Sequence, residues 1–329
     1  MTLHDDYGVI RSGAALAEVA PRGLIGLSGC DRSTYLHGLV TNDISTLKAG
    51  TGCYAAWLTA QGRMTTDMHV LESGDMLLLD LPVSTTADVL ARLDQFLFSE
   101  DVQLADLSVD LRRVEVHGAA AAAAIATACG NPEMRADLAS WVQCRNARVP
   151  FGDGAVVVAR IDRLGVPGYV LYVAAADEAT LRAALQTAGA TAVSPEAIEA
   201  ARIEAGWPVF GADMDEHIIP LEAGIESRAI SMTKGCYVGQ EVIVRVLHRG
   251  HGRVAKKLVG LRVEGEGTVT RGEKLDSGDA EMGFVTSSAI SPEHGCVALA
   301  YLHRDHTRPG TAVRTASGRA AVIIPFPKP

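Results

Sequence analysis

The most constraining feature of the chain is a change of pattern near residue 250. Before it, helix-like and strand-like stretches alternate; after it, Ala255 to Val263, Glu281 to Thr286, Val297 to Tyr301, Ala312 to Thr315 and Arg319 to Pro325 are all short strand-like runs broken by Gly, Pro and Ser turns. Such a series predicts a small all-β barrel or sandwich. The alternation also predicts a strand over Val242 to His248, with Arg249 to Arg253 as the turn that follows it.

The first 240 residues read as two α+β units. In the first, Leu24 to Leu27 forms a strand, Asp31 caps a helix over Arg32 to Val40, and two runs around Gln61-Gly62-Arg63 form a hairpin. Period-two alternation places Met64, Thr66, Met68 and Val70 on one face of that hairpin and Thr65, Asp67 and His69 on the other. A strand over Met76 to Leu81 and a helix over Ser84 to Phe98 complete the unit. The second unit repeats this element order: strand Arg113 to His117, helix Ala119 to Ala128, strands Ala155 to Ile161 and Gly168 to Val173, then helix Glu178 to Ala188. Ser194-Pro195 starts a further helix, which ends at Gly206-Trp207-Pro208. The expected organisation is 1–110, 111–241 and 242–329, and a length of 329 residues favours more than one core.

Composition narrows the function classes. A net charge of −9 argues against a general nucleic-acid surface, and the longest alanine-rich stretch falls far short of the roughly 20 apolar residues that span a bilayer. Met1 to Asp6 lacks the basic and apolar regions of a signal peptide, so a cytoplasmic monomer without membrane or nucleic-acid partners is expected. Six dispersed cysteines show no Cys-x-x-Cys pair, so neither a metal site nor a disulfide framework is expected. Five of them read as small buried hydrophobes.

Cys236 is the exception. It lies in Lys234-Gly235-Cys236-Tyr237-Val238-Gly239-Gln240-Glu241, with Arg228, Arg245, His248 and Arg249 nearby in sequence. Cations stabilise a thiolate, which makes the sulfur a nucleophile or a soft-metal ligand. Asp67 is the second candidate, a carboxylate for acid/base work.

Three ordered segments carry a resemblance: Gly29-Cys30-Asp31 through Thr41-Asn42-Asp43-Ile44 to Gln61-Gly62; Arg202 to Asp213 with Ile219-Pro220-Leu221-Glu222; and Lys234 to Glu241 followed by Gly283 to Ser287 and Ala298 to Tyr301. Together they resemble the glycine-cleavage T-protein (aminomethyltransferase) superfamily, and the octet resembles its YgfZ branch. The resemblance implies an α+β fold, two ferredoxin-like units and a C-terminal β-barrel in a cloverleaf around a central hole for tetrahydrofolate. It implies an auxiliary role in iron–sulfur cluster assembly or repair, with tRNA-modifying iron–sulfur enzymes as clients and Cys236 as the working residue. The alternative is a tetrahydrofolate-dependent aminomethyltransferase centred on Asp67. The candidate folate contacts are Lys234, Tyr237, Gln240, Glu204, Arg245 and Asn42, with Arg249 and Arg253 joining Arg245 as a rim for the glutamyl tail.

Two departures bear on the transferase alternative. The transferases carry two adjacent acids where this chain has Thr66-Asp67, and a carboxylate-bearing run where it has Gly165-Val166-Pro167-Gly168. Glu204 is the expected substitute, while Tyr237 and Asn42 also have structural readings, as a core anchor and as a turn cap.

Overall fold

A computed structural model describes residues 2–18, 21–250, 252–276 and 281–326, with the backbone alone for Arg249. The turn expected over 249–253 includes His251, which lies outside the described residues.

Strands that alternate apolar and polar residues must bury one face, and both α+β units do so against their own helices. The first sheet runs, in spatial order, Thr51–Leu58, Met64–Glu72, Leu77–Pro82, Arg22–Ser28 and Gln103–Asp106. Leu27, Trp57, Met68 and Leu79 from its inner face pack on Leu36 and Leu93 of the helices Arg32–His37 and Val83–Gln95. In the second sheet the order is Thr191–Val193, Ala15–Ala17, Leu111–His117, Gly168–Ala174, Gly154–Arg160 and Asn146–Phe151. Val114, Val116 and Leu171 there meet Ile125, Leu138 and Leu181 of three helices.

The division at residue 110 needs one correction. Ala15–Ala17 pairs antiparallel with Leu111–His117 and parallel with Thr191–Val193, so the beginning of the chain belongs to the second sheet. A three-residue strand carries too little periodicity to reveal which sheet it will join.

The six strands Lys256–Val263, Gly295–His303, Glu281–Ser291, Lys274–Asp276, Ala312–Thr315 and Ala320–Ile324 close into a barrel. Two α+β units followed by a barrel is the architecture expected from the sequence. The barrel is latched to the rest by a buried polar knot: Asp213 accepts from Arg202 at 2.7 Å, from Thr286 at 2.5 Å and from Ser287 at 2.6 Å. An apolar cluster that includes Tyr54, Met64, Leu221, Tyr237, Leu299 and Tyr301 joins the hairpin, the 218–243 segment and the barrel.

Val242 to His248 is not a strand. The segment is helical, Gln240–Val244 followed by the π-turn Arg245–Arg249. Its buried Ile243 and half-buried Val246 and Leu247 recur at i, i+3 and i+4, a helical face that the Val-x-Val alternation masks. Gly239 starts it at φ +83, where an added Cβ would lie 2.4 Å from the Thr59 carbonyl.

Candidate functional site

The hairpin register puts Tyr54 opposite His69 and Ala56 opposite Asp67. Asp67 and His69, two residues apart, share the face turned away from the Met68 and Val70 core. Asp67 is 4% exposed; its Oδ2 accepts from the Tyr54 hydroxyl at 2.6 Å, while its Oδ1 is buried with no partner among the described residues. His69 is equally buried, and both its ring nitrogens lack partners among the described residues. Burial pushes its pKa down to about 3, against the pull of Asp80, with Arg22, Arg113 and Arg228 adding to the fall. His69 is therefore neutral near pH 7, with one nitrogen a donor and the other an acceptor.

Gly206, at φ +66, ends the helix Pro195–Glu204 and sends Trp207 across His69, where the rings stack with centroids 6.4 Å apart at 7°. The Arg228 guanidinium lies 3.9 Å from the Trp207 ring centroid, and its Nε and Nη2 are buried without partners among the described residues; burial lowers its pKa. Asp67, His69 and Trp207 line a cavity of about 380 Å³ between the two sheets and the helix Pro195–Glu204. That volume is in the usual range for small-molecule sites. Burial and Asp67 raise the Tyr54 hydroxyl well above its ordinary value, so it stays protonated and donating.

Arg113 and Glu115 from the strand Leu111–His117 of the second sheet line the cavity together with Arg163, and Arg22 lines it from the first sheet, with Asp80 buried beside it. Asp80 accepts from Arg22, from Arg113 at 2.8 Å and from Tyr172 at 2.6 Å, and its pKa is depressed because the two guanidiniums outweigh burial.

Of the residues singled out from sequence, Asp67 lines this cavity and the octet does not. Cys236 is exposed on the loop leading to Gln240–Val244. Lys234 spends its ammonium on backbone carbonyls of His37, Val40 at 2.6 Å and Asn42 at 3.1 Å; burial pushes its pKa down to about 8. It fastens the octet to the end of the helix Arg32–His37. Tyr237 is a core anchor, its hydroxyl pushed up to about 12 by burial. Gln240 reaches back to the Gly235 carbonyl at 3.4 Å, and Arg245 and Arg253 are exposed. Asn42 donates to the carbonyls of Tyr54 and Arg228 at 2.8 and 3.0 Å, which makes it a brace beneath the site.

Glu204 accepts from Tyr7 and, at 2.8 Å, from Arg11, and is not among the residues lining the cavity. Thr66 is buried, hydrogen-bonded to Thr85 at 2.8 Å on the face opposite Asp67, so a second acid there would point away from the cavity. Asp31 accepts from the Asp101 amide at 2.8 Å instead of capping its helix. Cys30 is exposed, donating to Asp101 at 2.9 Å, contrary to the buried reading. His69, Trp207 and the cavity arginines line the site, and Tyr54 holds Asp67, without having been picked out as site residues from sequence; the His69 and Asp67 alternation was the available signal.

Two sheets closing on one polar cavity, with a barrel latched behind, define a three-part small-molecule-binding scaffold. The chain belongs to the glycine cleavage T-protein family: the GCVT N-terminal domain matches residues 2–234 and the glycine cleavage T-protein C-terminal barrel domain matches 256–325. It is similar to the aminomethyltransferase of Rubrobacter xylanophilus, 28% identical over 90% of this chain and 78% of that one. The aminomethyltransferase of Saccharopolyspora erythraea is 28% identical over 98% and 89%. Among solved structures, glycine cleavage system aminomethyltransferase T from Bartonella henselae shares the fold, with a TM-score of 0.86 and 20% identity over 99% of this chain and 89% of that one.

Proteins of this family bind tetrahydrofolate, as expected from the sequence. The iron–sulfur auxiliary role is overturned: the curated relatives that match along most of the chain are named aminomethyltransferase, which favours the one-carbon alternative. No helix among the described residues is long and apolar enough to cross a membrane.

Proposed function

We propose that the chain is a tetrahydrofolate-dependent aminomethyltransferase, with Asp67 as its acid/base residue. The observation that carries this reading is the Asp67 carboxylate on the cavity lining: one oxygen is fixed by Tyr54, and the other is buried without a partner among the described residues. A buried acceptor without a partner costs about 1–3 kcal/mol, so Oδ1 is built for a group that arrives from outside the chain.

Tetrahydrofolate fits this donor and acceptor set. Asp67 Oδ1 and the acceptor nitrogen of His69 can take N–H donors, the His69 N–H can meet an acceptor, and Trp207 offers a ring edge beside them. When bound, the folate supplies nitrogens that carry a one-carbon unit. Asp67 Oδ1 then holds the proton that moves on or off the reacting amine, while Tyr54 fixes the carboxylate plane. His69, neutral because it is buried, orients a ligand without adding charge.

The test is tetrahydrofolate-dependent release of ammonia from an aminomethyl donor. Asp67→Asn keeps the shape and removes the base, so activity falls by about 10²–10⁴-fold with folate binding retained. Full activity in this variant overturns the reading.

A further inference from the structure

Three rings form a cluster next to Asp67. The centroids of Tyr54 and His69 are 5.1 Å apart, those of Tyr54 and Trp207 6.0 Å, and those of His69 and Trp207 6.4 Å. Arg228 meets two of these rings, its guanidinium 3.9 Å from the Trp207 centroid and 5.6 Å from that of Tyr54. It comes from the short helix Glu226–Ala229, which is stitched to the strand Thr51–Leu58 by two side chains. Asn42 donates to the carbonyls of both Arg228 and Tyr54. The Thr41 hydroxyl donates to the Ala229 carbonyl at 2.6 Å and accepts from the Ala56 amide at 2.9 Å. The guanidinium is thereby held over the ring whose hydroxyl grips Asp67.

Its charge has no direct counterion. Among the described residues Arg228 forms no ion pair, and its Nε and Nη2 are buried without partners. Burial lowers its pKa, and Tyr54, Asp67 and Glu226 oppose the fall. Glu226 stands on the same turn, its Oε2 buried without a partner among the described residues. Arg22 also lies in the field of Asp67, but it gives Nε and Nη2 to Asp80. His69 adds no charge, since burial holds its pKa at about 3. A brace for Trp207 alone would cost less as an apolar chain, which needs no counterion. A fixed cation beside a carboxylate that handles a proton has an electrostatic use.

We propose that Arg228 is a positioning residue that acts through Asp67: packed on Trp207 and over Tyr54, it supplies the positive charge that offsets the Asp67 carboxylate while a ligand fills the cavity. The inference rests on the one-carbon reading above and adds a residue to that site. Tyr54 connects the two charges, because its hydroxyl donates to Asp67 Oδ2 at 2.6 Å and lies in the fields of both Asp67 and Arg228. Arg228 is not among the residues lining the cavity, so its effect on the ligand is indirect.

The test is tetrahydrofolate-dependent ammonia release at limiting and saturating folate, with each variant checked for folding by circular dichroism. Arg228→Met keeps a side chain of similar length against the rings and removes the charge. Its kcat should fall by about 10–10²-fold while KM for tetrahydrofolate stays within about threefold. Arg228→Lys restores the charge and should regain most of the loss. The double variant Asp67→Asn/Arg228→Met should be no slower than Asp67→Asn alone, because both changes act on one carboxylate. If Arg228→Met fails to fold, Arg228→Gln takes its place. A wild-type kcat in the neutral variant, a change confined to KM or to stability, no rescue by lysine, or losses that multiply in the double variant overturns the proposal. Full activity of Asp67→Asn overturns the one-carbon reading and this inference with it, whereas an inactive Asp67→Asn beside an unaffected Arg228→Met removes Arg228 alone.

Discussion

The cavity and the 234–241 octet both gather chemistry-bearing side chains, but they are built in opposite ways. In the octet the polar groups face inward onto the chain's own backbone: the Lys234 ammonium is shared among three carbonyls and Gln240 turns back on Gly235. At the cavity, Asp67 Oδ1 and both His69 nitrogens are buried without a partner among the described residues. A satisfied polar group holds a loop in place; an unsatisfied buried one waits for a ligand. Sequence prominence marked the octet, whereas unmet hydrogen-bonding capacity marks the cavity.

Substitutions on the two sides should separate accordingly. The largest effect on stability is expected from Arg202→Met, which leaves Asp213 as an uncompensated buried charge in the knot that latches the barrel. Chemical denaturation should show a loss of about 3–5 kcal/mol. A wild-type midpoint would mean that the latch is dispensable.

His69 gives a pH signature. Its pKa is about 3 folded and 6.5 when exposed, so between those values the unfolded chain binds the extra proton and the folded one does not. Stability from this residue is complete above pH 6.5 and drains away as pH falls toward 3. His69→Gln should flatten that limb of the stability curve; an unchanged slope would place the acid sensitivity elsewhere.

On the octet side, Lys234→Met strands the carbonyls of His37, Val40 and Asn42. It should cost about 1–3 kcal/mol in melting or denaturant experiments while leaving the turnover of folded protein near wild type. Smallest of all, Cys236→Ser changes an exposed side chain and should shift stability by no more than about 0.5 kcal/mol.

Much of the scaffold was legible because it rests on local pattern. The alternation from Met64 to Val70 separated core from cavity face, Ser194-Pro195 and Gly206 bracketed a helix, and the late strands announced a barrel. What failed was short or long-range. Val242 to His248 satisfies both periods over seven residues, and the burial of Ile243, Val246 and Leu247, with Gly239 tight against the hairpin turn, goes with the helix. Asp67 could be picked as a carboxylate on the open face, but its partner Tyr54 is 13 residues away and Trp207 and Arg228 lie far downstream. Arg22 and Arg113 meet at Asp80 from three different strands, a convergence no spacing rule records. Glu204 was drawn toward folate by its position at a helix end, yet Tyr7 and Arg11, almost 200 residues earlier, hold it.

The contrast between the two regions reduces to one paired assay. Tetrahydrofolate-dependent ammonia release should be measured for Asp67→Asn and Cys236→Ser under saturating folate. The account predicts a fall of about 10²–10⁴-fold for the first and wild-type rates for the second. An active Asp67→Asn protein beside an inactive Cys236→Ser protein would contradict it.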